Sequence, residues 1–170
     1  MAAKIRGREN KAAVIVTGAS SGIGRALALA LAEKYGARLL LNARNQEVLQ
    51  ETAKLVEAAG GQTYCVVGDV ADEKVRSQIV NSCLEHFGGV DLLVNNAGLA
   101  VSGAVTALTP ADWRYVFEVN FFAALNLTYA VLPTFLQQER GKIINVSSIA
   151  GKVAFPGSVC YAASKFAMTG

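Results

Sequence analysis

The run Val14-Ile15-Val16-Thr17-Gly18-Ala19-Ser20-Ser21-Gly22-Ile23-Gly24 constrains this chain more than any other stretch. A short apolar, β-branched segment ends in a turn of small residues, and Arg25-Ala26-Leu27-Ala28-Leu29 continues as helix. The order is strand, tight glycine turn, helix N-terminus. The first N–H groups of a helix lack partners and lie at the positive end of its dipole, which suits a phosphate. Glycines keep side chains away, so a pyrophosphate can approach the backbone and the helix can pack on the strand. The glycines fall at 18, 22 and 24, a spacing that differs from the G-x-G-x-x-G usually quoted for dinucleotide folds. With 16 glycines in 170 residues, a glycine-rich turn without function competes with this reading, and the rest of the chain has to decide.

The remainder alternates strand and helix. Residues 12–16 read as a first strand and 22–35 as a helix that Gly36 ends in a left-handed conformation. A second strand is expected at 38–42, a helix at 46–59 stopped by Gly60-Gly61, and a third strand at 63–67 followed by the turn Gly68-Asp69-Val70. Residues 72–87 read as a helix with Asp72 at its N-terminus. A fourth strand at 92–95 runs into Asn95-Asn96-Ala97-Gly98. Thr109-Pro110 opens the longest helix, expected to run toward Phe135 with Pro133 disturbing its last turn. A fifth strand at 142–146, a loop and a helix beginning at Tyr161 complete the chain. Such alternation describes βαβ units and an α/β parallel sheet. The strands are apolar runs without strict alternation, as fits strands covered on both faces. Ligands then belong at the carboxyl ends of the strands, where the strand order reverses.

A chain of 170 residues, 52% apolar and 17% charged, fits one globular domain over 1–170. The net charge is +3, and the only basic cluster, Lys4, Arg6, Arg8 and Lys11, reads as a solvated, flexible tail over residues 1–10 rather than a nucleic-acid arm. No apolar run approaches the ~20 residues of a membrane span, so no integral membrane segment is expected. Residues 1–11 lack the apolar centre of a signal peptide. Cys65, Cys83 and Cys160 are odd in number and far apart, which points to reduced thiols in a cytoplasmic compartment. His86 stands alone on a helical stretch, and no metal site is expected.

Taken together, these residues resemble the short-chain dehydrogenase/reductase family from Lys11 onward. Gly18, Ser20, Ser21, Gly22, Ile23 and Gly24 match its cofactor loop, and Asn96, Ala97 and Gly98 its motif after the fourth strand. Asn120, Ser148, Tyr161 and Lys165 fall where the family keeps a catalytic tetrad. The resemblance implies a Rossmann-type, doubly wound parallel sheet with helices on both faces and strand order 3-2-1-4-5. Full members continue past the equivalent of Gly170 with two more strands and a substrate-covering segment, so the last strands are expected to be missing here.

Tyr161 and Lys165 are four apart on a helix and share a face. An ammonium beside a phenol favours the phenolate, which suits the tyrosine to exchange a proton with a substrate oxygen. The resemblance adds that the lysine holds the nicotinamide ribose. Ser148, thirteen residues before Tyr161, would hydrogen-bond the same substrate oxygen, with Ser147 as adjacent competitor. Asn120 has two readings: by resemblance it kinks the long helix and holds a water in a proton relay through Lys165, and otherwise it is a buried amide bonded to backbone. Asn96 faces the cofactor ribose in the family, or only braces its turn. Asp69, with Val70, contacts adenine in the family, or caps a turn.

Arg44 follows Ala43 at the position where NAD-specific relatives carry an acidic residue against the ribose 2′-hydroxyl. A guanidinium there can grip a 2′-phosphate, so the cofactor reads as NADP(H); the competing reading is an exposed loop arginine. Ser21 stands where some NADP-preferring relatives carry a second basic residue. The implied function is hydride transfer between NADP(H) and an alcohol or ketone. The apolar loop 151–158 tilts that small-molecule substrate toward lipid-like, steroid-like or acyl ketones. A non-catalytic nucleotide sensor on the same fold is the alternative, although it has no need of the tetrad. The family pairs protomers through the long helix and the Tyr161 helix, so a homodimer or homotetramer is expected.

Overall fold

The computed structural model describes residues 11–170, so the tail expected over 1–10 lies outside the described residues. Five strands form one sheet: β1 (Ala13–Thr17), β2 (Arg38–Ala43), β3 (Gln62–Val67), β4 (Leu92–Asn95) and β5 (Lys142–Asn145). All four pairings are parallel, in the order β3-β2-β1-β4-β5. Central β1 fixes the register, with Val14 opposite Leu39 on one side and Leu92 on the other. Parallel neighbours need crossovers, and helices α1 (Gly22–Tyr35), α2 (Gln46–Ala58) and α3 (Glu73–Phe87) supply the first three.

Alternate residues of the strands feed two separate cores. Val14, Val16, Leu39 and Leu41 pack on Ala28, Ala32, Leu49 and Val56 of α1 and α2. Ile15, Leu40 and Leu93 face Ile79 and Cys83 of α3 on the other side. Every residue of β1 and β2 is buried, which explains why these strands carry no polar alternation. Full burial of each aliphatic side chain contributes roughly 1.5–3 kcal/mol. Because β1 is flanked by β2 and β4, the chain switches direction beside it, and a crevice opens outside the carboxyl ends of the strands.

Helix starts follow the sequence closely. Asp72 accepts from the Lys74 N–H at 2.8 Å, and Thr109 and Asp112 form a reciprocal capping box. Gly36 takes the left-handed conformation that ends α1, at φ 55°. Three boundaries differ in ways that matter. The strands β1 and β2 reach one residue further toward the crevice than expected. The final helix, α6 (Val159–Thr169), begins two residues before Tyr161.

The long helix departs more from expectation. It consists of α4 (Pro110–Phe117), a π-helical segment (Glu118–Phe122) and α5 (Ala123–Gln138), and it continues past Pro133. Contacts beyond the proline hold that last turn: Phe135 is buried, and Gln138 Nε2 donates to the Val90 carbonyl at 2.7 Å. The expectation of no membrane-length apolar run also needs correction. Pro110–Gln138 spans 29 residues and is long and apolar enough for a span by length and composition alone. Single polar residues had broken the run in the sequence. In the fold, Val119, Ala123, Leu127 and Val131 of this helix join the sheet-facing core, as a core helix of this composition would.

Candidate active site

A cavity of about 530 Å³ occupies the crevice, walled by the loops after all five strands and by α6. Its floor is the glycine turn. Gly18 and Gly22 have φ of 65° and 53°, which L side chains rarely adopt. A Cβ on Gly24 would stand 2.4 Å from the Gly18 carbonyl oxygen and 2.5 Å from Asn96 Nδ2, so only glycine lets α1 come this close. Ser21 is the N-cap residue, but its side chain makes no cap hydrogen bond, and the first turn of α1 carries no acidic residue. The N–H groups at this helix start are therefore open to an anion, with Ser20, Ser21, Gly22 and Ile23 in the cavity wall.

Two side chains brace this turn against β4. Asn96 Nδ2 donates to the carbonyls of Thr17 at 2.9 Å and Gly18 at 3.1 Å. Thr17 Oγ1 in return accepts from the N–H groups of Asn96 at 3.1 Å and Ala97 at 3.0 Å. The Asn96 side chain is thus a brace, while its residue, with Ala97 and Gly98, also lines the cavity. Thr17 heads the stretch that resembles the cofactor loop, but sequence alone gives its side chain no role; the fold assigns it the brace.

At the β2–β3 end, Arg44, Asp69 and Val70 line the wall. Buried Asn42 links the two strand ends, donating to the Val66 carbonyl at 3.0 Å and the Gly68 carbonyl at 3.2 Å. Asp69 Oδ1 accepts from the Ala71 N–H at 2.9 Å, the turn-capping bond expected of it, and Oδ2 accepts from the Tyr115 hydroxyl. That bond to a carboxylate, with burial, holds the Tyr115 phenol above its usual pKa. Arg76 Nη1 donates to the carbonyls of Val70 and Ala71, each at 2.7 Å, and reaches Glu118 Oε1 at 3.6 Å. It thereby ties this turn to the start of the π-helical segment.

At the opposite end, α6 presents Tyr161 and Lys165 to the cavity. Lys165 is 4% exposed, and its Nζ donates to the Val146 carbonyl at 2.9 Å and lies 5.9 Å from the centre of the Tyr161 ring. Burial pushes the Lys165 pKa below its ordinary value, because desolvation disfavours the charged form. Asn120 is buried at the centre of the π-helical segment, behind the wall. Its Oδ1 accepts from the Leu99 N–H and its Nδ2 donates to the Leu99 carbonyl and Ser164 Oγ, all at 2.9 Å. Ser164 Oγ passes the chain of bonds to the Tyr161 carbonyl at 2.7 Å. A Cβ on Gly98 would lie 3.3 Å from Asn120 Oδ1 and 3.5 Å from Lys165 Nζ, so both groups border the same small space.

The two serines divide differently from expectation. Ser147 lines the cavity, yet its hydroxyl is engaged with Thr169 Oγ1 at 2.8 Å and the Lys165 carbonyl at 3.3 Å. Ser148 is not among the wall residues; its Oγ accepts from the Ala150 N–H at 3.1 Å and caps the short turn Ile149–Gly151. Accepting that bond leaves the Ser148 hydroxyl proton available for donation.

A dinucleotide fits the groups present. The floor offers open helix N–H groups beside Gly18 and Gly24, where a Cβ would collide with neighbouring atoms, and one end offers a lysine and a phenol. Comparison with known proteins agrees. A family model described as short chain dehydrogenase matches residues 12–170. An uncharacterized oxidoreductase of Listeria monocytogenes is 40% identical over 155 residues, covering 91% of this chain and 62% of that protein. Dehydrogenase/reductase SDR family member 7B of Bos taurus is 38% identical over 170 residues, 96% of this chain and 52% of that protein. The chain therefore spans only part of the length of these relatives. A metagenomic short-chain oxidoreductase solved in complex with NADP superposes with a TM-score of 0.87 at 35% identity, over 95% of this chain and 71% of its own. The same sheet, the same crevice and a family match along nearly the whole chain lead to one assignment: this chain belongs to the short-chain dehydrogenase family.

Proposed function

We propose that the protein transfers a hydride between NADP(H) and an alcohol or ketone, with Tyr161 moving the proton. The observation that carries this reading is a single groove with Tyr161 and Lys165 at one end and Arg44, beside Ala43, at the other. The bound nicotinamide supplies the hydride chemistry. The chain's own part is to bind, orient and move a proton. The N–H groups around Gly22 hold the pyrophosphate, Arg44 takes the 2′-phosphate, and Lys165 holds the nicotinamide ribose. Ser148 orients the substrate oxygen, and the Tyr161 hydroxyl gives it a proton during reduction, while the Tyr161 phenolate takes one from it during oxidation. Asn120 keeps the Leu99 segment and α6 in register with each other. The exposed apolar side chains Ile149, Val153 and Phe155 lie on the loop after β5, which favours an apolar ketone.

NADPH and NADH titrations followed by a ketone panel test this. Tight binding of NADPH with ketone-dependent loss of its absorbance is expected. Absence of both would remove the oxidoreductase reading, whereas binding without any turnover, in a protein that carries the substrate-covering segment, would favour the nucleotide sensor.

Self-association belongs to the same proposal. Leu125, Tyr129 and Leu136 on α5 and Phe166 on α6 are exposed at 38%, 66%, 76% and 45%. Exposed apolar helix faces favour a partner, and a second copy of this chain fits the family pattern. Light scattering is expected to report a dimer or larger species. A stable monomer at high concentration would contradict it.

A further inference from the structure

Tyr115 is a feature that the proposed reaction does not use. It lies on α4, outside the cavity wall and 41% exposed, yet its phenol joins two wall residues. The hydroxyl donates to Asp69 Oδ2 and accepts from Arg44 Nη1 at 3.5 Å. The three groups come from separate elements: the loop after β2, the turn after β3 and helix α4. The carboxylate anchors the array, because its other oxygen is already fixed by the Ala71 N–H at 2.9 Å. Asp69 also keeps the phenol protonated and therefore a donor. Arg76 fixes the same turn from behind through the Val70 and Ala71 carbonyls.

An exposed arginine loses much side-chain freedom when it grips a phosphate, and a partner that holds it in place beforehand reduces that loss. The bond to Tyr115 uses one of the five guanidinium N–H donors and leaves the others for a ligand. We propose that Tyr115 is a positioning residue that holds Arg44 for the 2′-phosphate and so sets the preference for NADP(H) over NAD(H). This rests on the NADP(H) reading above.

The test uses adenosine 2′,5′-bisphosphate and adenosine 5′-monophosphate, which differ only in the 2′-phosphate, with affinities measured calorimetrically. The proteins are wild type, Tyr115→Phe, Arg44→Ala and the double variant. Wild type is expected to prefer the bisphosphate. Tyr115→Phe should weaken the bisphosphate about three- to tenfold, the range for one hydrogen bond, and leave the monophosphate unchanged. The monophosphate thus reports that the site is still folded. In the double variant the bisphosphate should bind as it does to Arg44→Ala alone, because Tyr115 acts through Arg44. Equal weakening of both ligands, no weakening, or additive losses in the double variant would overturn the proposal while leaving the NADP(H) reading intact. A wild type that binds both ligands equally would overturn the NADP(H) reading and this proposal with it.

Discussion

Tyr161→Phe is expected to lower turnover by about a hundred- to ten-thousandfold, the usual contribution of a positioned general acid or base. NADPH affinity should stay within about twofold of wild type. Only the phenolic oxygen is lost. The ring keeps its place on α6, Lys165 keeps its bond to the Val146 carbonyl, and the glycine floor is untouched. The Ser164 bond to residue 161 goes to a backbone carbonyl, so the link to Asn120 also survives the substitution. Loss of activity then reads as loss of the proton and not of the site. Stopped-flow turnover with parallel nucleotide titration separates the two, and a variant with full activity would end the assignment of Tyr161 as acid and base.

A comparably large change is expected in cofactor choice. Arg44→Ala alone should weaken NADPH roughly ten- to hundredfold, since a hydrogen bond to a charged group is worth about 1.5–3 kcal/mol. Adding Ala43→Asp should carry the preference over to NADH, because a carboxylate there accepts from a ribose 2′-hydroxyl and repels a 2′-phosphate. Ala43 lies at the end of β2 and is 6% exposed, with its residue in the cavity wall. The introduced carboxylate therefore has the cavity as its outlet and should find a partner only when the ribose is bound. Ser21 supplies no second positive charge, so on the proposed reading Arg44 would be the main cationic contact for the phosphate. Equal affinity of wild type for the two cofactors would show that Arg44 does not read the phosphate.

The order of elements and the place of the crevice were legible because local signals agreed. Gly36, Asp72, Thr109 and Pro110 each sit where helix-end chemistry demands, and the apolar strands match a sheet covered on both faces. Pro133 left the last turn of the long helix open in the sequence because proline argues locally against helix, while Phe135 and Gln138 hold that turn through contacts with distant residues. The side chains that brace the site were hidden for the same reason. Thr17, Asn42, Arg76 and Tyr115 are unremarkable in their own segments. Their partners are set by the sheet order and the packing of α4, and Arg44 and Tyr115 are 71 residues apart in sequence. Asn120 shows the intermediate case. An asparagine inside a helix signalled something unusual, but only the fold reveals that its amide clamps the backbone of Leu99.

The brace between Thr17 and Asn96 has a kinetic side. Its partners are 79 residues apart, and two other strands and three helices separate β1 from β4 along the chain. Contacts this distant carry a loop-closure cost and arise late, whereas β1–β2 pairing closes a much shorter loop. An intermediate holding only the first half of the sheet would possess the glycine turn without the asparagine that shapes it. Nucleotide binding would then distinguish the finished sheet from partly folded forms, and a cofactor at a hundred times its dissociation constant would favour the finished form by about 2.7 kcal/mol. In a cell, the supply of nucleotide would then help decide how much of the newly made chain escapes proteolysis.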